Sequence, residues 1–136
     1  MLLSGETWNR LACALFFIVG GALHFIVPGP YRAIMPSYLP WHAALVALSG
    51  AAELAGGMGL LFPQTRRAAG IGLVVLLVAV FPANVEMLAR YRHQGVGGLV
   101  ELLLWLRLPL QFALMWWVWR VSRSSVHGRI TGARAA

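Results

Sequence analysis

Arg107 stands inside a long hydrophobic stretch, and His24, Glu53, Asn84, Glu101 and Gln111 also lie in or at the ends of apolar runs. A charged side chain in hydrocarbon costs roughly 2.5–3.5 kcal/mol on insertion scales, so such residues mark either mutual neutralisation in a bundle or a site. Their types suit proton handling and head-group recognition. His24 changes charge near neutral pH. Arg107 offers a planar fork to an anion or a carbonyl. Glu53 is a second proton acceptor, and Asn84 and Gln111 both donate and accept hydrogen bonds. Arg107 and Gln111 are four residues apart and share a helix face. Glu86 and Glu101 are secondary candidates, because with Glu53 they are the acids available to pair with Arg107.

The elements that must position these groups are membrane helices. Of 136 residues, 60% are hydrophobic and only 11% charged, against about 25% charged in a soluble domain. Four apolar runs of spanning length are expected, at about 8–27, 41–62, 68–88 and 99–119. This predicts an all-α integral membrane four-helix bundle forming one domain over residues 1–121, with a basic tail, 122–136, disordered or lying on head groups. The first run is followed by no small-residue cleavage site and is long enough to span, so it is kept as a helix rather than a signal peptide. All 11 basic residues are arginines. Arg10, Arg66, Arg67, Arg120, Arg123, Arg129 and Arg134 fall on the side of the termini, and Arg32, Arg90 and Arg92 on the other. Positive-inside bias then puts both termini in the cytoplasm of a bacterial-type inner membrane. Because the arginines gather at span ends and not on one stripe, the charge of +7 suits lipid head groups, and no nucleic-acid partner is expected.

The polar groups concentrate toward the outer half. At 1.5 Å per residue, His24 lies ~5 Å, Asn84 ~6 Å and Arg107 ~12 Å from the outer ends of their helices, with Glu53 near mid-membrane at ~18 Å. Ser49, Ala52, Glu53 and Gly56 share one face, whose small residues admit a neighbouring helix, a ligand or a second copy of the chain. Pro82 and Pro109 each remove a backbone donor, and Asn84 or water could satisfy the carbonyls that Pro82 frees. The proline-dense outer segment, PGPYRAIMPSYLP, reads either as a stiff lid at the interface or as a connector carrying aromatic anchors.

Several chemistries are disfavoured. Cys13 is the sole cysteine, so no internal disulfide or CxxC pair exists. No metal site is expected without HxxxH or CxxC spacing. Haem ligation by His24 with His42 is disfavoured because His42 belongs to the interface. Nucleotide and hydrolase motifs are missing. Whether the chain is an enzyme is left open.

The order His24-Phe25 with Pro28, Met35-Pro36, Leu39-Pro40, Ser49-Gly50 with Glu53, Gly56-Gly57, Phe81-Pro82-Ala83-Asn84 and Leu106-Arg107-Leu108-Pro109-Leu110-Gln111 resembles the small four-helix members of the DoxX-type membrane proteins. The resemblance covers about residues 10–119. It implies a four-helix membrane bundle and, from some relatives, an association with quinone-coupled oxidation or redox stress. Other relatives are assembly factors, and this chain lacks the cysteines that some relatives use. Two readings follow. In one, a redox-associated subunit holds a quinone or similar amphipathic ligand among His24, Glu53, Asn84, Arg107 and Gln111, beside a redox or other membrane partner. In the other, a non-catalytic assembly factor or accessory subunit uses the same cluster as internal glue.

Overall fold

The computed structural model describes residues 4–95 and 97–124. Within them the chain is all-helical: α1 (Gly5–Ile26), α2 (Pro28–Ala33), α3 (His42–Leu61), α4 (Arg66–His93) and α5 (Leu99–Arg123). All but α2 are long and apolar enough to cross a membrane. The expected tail lies outside the described residues from position 125 onward, and Ser122 and Arg123 complete α5.

Local chemistry explains most boundaries. Ser4 caps α1, its hydroxyl accepting from the Thr7 N–H at 3.4 Å. Pro28 opens α2, where its missing donor costs nothing. The third span was expected to stop near residue 88, but α4 runs to His93 and passes through Pro82. Its extension carries the Glu86–Arg90 pair one turn apart at 3.5 Å, and Arg90, Arg92 and His93 complement the negative end of the helix. At the α3–α4 hairpin, Thr65 Oγ1 donates to the Gly59 carbonyl at 2.9 Å and Arg66 Nε to the Leu60 carbonyl at 3.2 Å. These side chains satisfy terminal carbonyls that a helix leaves unpaired.

The helices pack in the order α1–α3–α4–α5, with α1–α3 the most extensive seam and α1–α5 the sparsest of the long-helix seams. Glycines set the close seams. A Cβ on Gly50 would lie 2.6 Å from His24 Cβ, and one on Gly57 2.9 Å from the Ala14 carbonyl. Gly56 receives Leu73 from α4, and Gly70 receives Ser122 from α5. Cys13, Phe17, Leu60, Leu73 and Val118 form the dry core beneath these contacts. Large apolar side chains such as Leu15, Leu48, Val75 and Phe112 remain on the exterior, as a lipid-facing surface requires. The start of α1 meets the end of α5 through Trp117 Nε1, which donates to Asn9 Oδ1 at 2.8 Å. Arg66 Nη1 reaches the Ser124 carbonyl at 3.4 Å, so the described ends and the α3–α4 hairpin share one end of the bundle.

Gly57→Val should lower stability by about 1–3 kcal/mol through overpacking of the α1–α3 seam. Gly72→Ala, where an added Cβ meets nothing within 4 Å, should be tolerated. Thermal unfolding of both variants in the same lipid discs checks the contrast, which equal behaviour would contradict.

Candidate functional site

All the long helices and the α2 segment wall a cavity of about 320 Å³. His24, Glu53, Asn84, Arg107 and Gln111 all line it. The cavity is polar toward the α2 end and apolar toward the other. Phe17 lies seven residues from His24, Leu77 seven from Asn84 and Leu114 seven from Arg107, each toward the end that holds the termini. At helical rise, these offsets place Phe17, Leu77 and Leu114 ~10 Å from the level of His24, Asn84 and Arg107, with Glu53 and Gln111 reaching between.

His24 is held by its own helix. Its Nδ1 lies 2.9 Å from the Gly20 carbonyl. A carbonyl can only accept, which assigns the proton to Nδ1 and leaves Nε2 to exchange one. Glu53 Oε2 is 3.9 Å from the same Nδ1, beyond hydrogen-bond length but within strong electrostatic reach. The carboxylate sits over Gly20, where any Cβ would come within 2.8 Å of Oε2. Glu53 is therefore turned toward α1, not toward α5.

Asn84 and Gln111 are buried and bonded to each other. Asn84 Nδ2 donates to Gln111 Oε1 at 2.7 Å, and Gln111 Nε2 donates to the Leu77 carbonyl. Asn84 or water was expected to satisfy the carbonyls freed by Pro82. Instead Gln111, from the neighbouring helix, supplies a donor in that turn of α4, and Asn84 orients Gln111.

Arg107 is exposed at the cavity rim. Its expected pairing with a glutamate is not made. Among the described residues, Glu53 faces His24, Glu86 faces Arg90, and Glu101 faces Arg92 at 3.6 Å. Closer local partners take the two secondary candidates, and neither Glu86 nor Glu101 lines the cavity. His42 is also elsewhere, with Nε2 at 3.0 Å from the Pro36 carbonyl.

Tyr31, which the sequence offers either as part of a stiff lid or as an interface anchor, is a site residue not named among the candidates. From α2 it stacks on the His24 ring, with centroids 3.8 Å apart and planes at 28°, and it lines the cavity. Burial pushes its phenol above the ordinary value, the Glu53 charge adds to this and Arg107 opposes it, so the hydroxyl stays a hydrogen-bond donor. Ile34 and Met35 follow it onto the cavity wall, and Arg90 Nη2 donates to the Met35 carbonyl at 3.2 Å, tying this cover to α4. The signal available in the sequence was the combination of proline stiffening and apolar residues in one short connection.

A family model, Domain of unknown function (DUF8561), matches residues 13–122. The chain belongs to this family. The matched DUF8561 segment contains every residue that lines the cavity, from Phe16 to Leu114. No curated protein matches the chain. No solved structure matches it either.

Asn84→Ala should cost about 1–3 kcal/mol by stranding a buried amide oxygen. The double variant with Gln111→Leu should cost less than the sum of the singles. A double-mutant cycle by thermal or denaturant unfolding measures this, and strict additivity would contradict the pairing.

Proposed function

We propose that this membrane bundle holds an amphipathic, membrane-borne ligand in its cavity, a quinone head group or one of similar chemistry, as a redox-associated subunit. The observation that carries the reading is the convergence of five polar side chains from four helices on one cavity whose far end is apolar. Ligand sites are mostly apolar with a few placed polar groups. In this reading Arg107 binds a carbonyl or anionic oxygen of the head group. His24 exchanges a proton at Nε2, and Glu53 stabilises the imidazolium that results. Asn84 and Gln111 form a fixed polar wall, and Tyr31 covers the site from α2. The similarity to DoxX-type proteins supports the redox association, and the arginine distribution supports a bacterial-type inner membrane with cytoplasmic termini.

The Asn84–Gln111–Leu77 chain forms without any ligand, and this favours a second reading: an accessory subunit or assembly factor of a larger membrane complex, with the cluster as internal glue.

Protein purified gently in native lipid decides between them, by its visible spectrum and by mass spectrometry of an organic extract. A stoichiometric quinone or other amphiphile is expected in the wild type and should be lost in a folded Arg107→Ala variant. Bulk phospholipid alone in both samples, with the variant merely less stable, would overturn the ligand reading in favour of the accessory one.

A further inference from the structure

The charges around the cavity do not balance in pairs. The sequence has four acids, Glu6, Glu53, Glu86 and Glu101, and no aspartate. Glu86 and Glu101 are engaged by Arg90 and Arg92, and Glu53 leans on His24 at the α1 wall. Glu6 lies in the first turn of α1, at the opposite end of the bundle. Arg107, on the α5 wall, is left without an ion pair among the described residues, about 12 Å along its helix. A guanidinium beside an apolar surface is best accommodated by an anionic or carbonyl oxygen that accepts from its planar fork.

The way to the cavity is equally specific. Of the neighbouring long walls, α1 and α5 meet least. Trp117 joins them toward the terminal end, bonding Asn9 and lying 6.2 Å from the Phe16 ring. From the Phe16–Trp117 contact toward the α2 end, Phe16, Arg107 and Leu110 are at once cavity-lining and exposed. The cavity therefore opens sideways, on the face that meets lipid chains.

We propose that the occupant is a single-chain amphiphile with an anionic head, a carboxylate or phosphate, which reaches the cavity laterally between α1 and α5. Its head lies on Arg107 at the rim, and its chain runs toward Phe16, Leu110 and Leu114. Glu53 is turned away toward Gly20 and His24, so it does not compete for Arg107. The inference rests on the ligand-site reading above and replaces the neutral quinone head with a charged one.

The test uses the full chain in phosphatidylcholine discs with the fluorescent carboxylic acid cis-parinaric acid, measured against empty discs. Binding should be saturable, and oleate should displace the probe while oleyl alcohol does not. Arg107→Gln should weaken binding by roughly tenfold or more and Arg107→Lys should recover most of it, as expected for a charge-assisted contact. Equal displacement by oleyl alcohol, or unchanged binding in a folded Arg107→Gln variant, would overturn the proposal. Loss of probe binding on adding phosphatidylglycerol to the discs would overturn it too, by assigning Arg107 to ordinary lipid head groups. Displacement by decylubiquinone but not by oleate would refute the anionic head and leave the ligand-site reading standing. Absence of saturable binding by either would refute both.

Discussion

The close approach of α1 to α3 is the contact on which the rest of this molecule depends. Lipid chains are as apolar as leucine, so burial of apolar surface gives membrane helices little reason to associate, and tight packing of small residues takes its place. Gly21, Gly50 and Gly57 let the two backbones come within direct contact. That approach sets His24 beside Glu53, and the bare Cα of Gly20 leaves room for the carboxylate. The same device recurs with less extent at Gly56 against Leu73 and at Gly70 against Ser122. The α1–α5 seam has no such set of glycines, and there the bundle stays open.

The polar groups divide into those that complete the scaffold and those that leave capacity unused. Arg66 is buried, yet it spends its donors on terminal carbonyls of neighbouring segments. Asn84 and Gln111 satisfy each other and an α4 carbonyl. These are structural bonds of the kind a low-dielectric interior enforces, since an unpaired buried dipole is costly. His24 Nε2 and the Arg107 guanidinium are different. Both belong to residues that line the cavity, and both retain chemistry that the fold itself does not consume.

Much of this was legible in the sequence because its causes are local. Hydrophobic length marked the spans, and the four-residue spacing of Arg107 and Gln111 placed them on one wall. The depth of His24, Asn84 and Arg107 put them near one level, and all of them line the cavity. What escaped depends on relations between segments. Glu86 and Glu101 looked available to Arg107, but Arg90 and Arg92 are nearer to them. Hydropathy suggested an end to α4 near residue 88, yet the helix continues to His93, supported by the charges beyond it. The role of Tyr31 required knowing that α2 folds back over His24, which hydropathy does not report.

The central claim is that the cavity walled by all the long helices is a ligand site with Arg107 at its rim. A structure determined by electron cryomicroscopy in native-lipid discs, with a rigid binding fragment added for size, tests it most directly. The account predicts one continuous elongated density in the cavity, its head within about 3 Å of Arg107, the length of a charge-assisted hydrogen bond. A cavity filled by rearranged side chains, with Arg107 paired to Glu53, would contradict it.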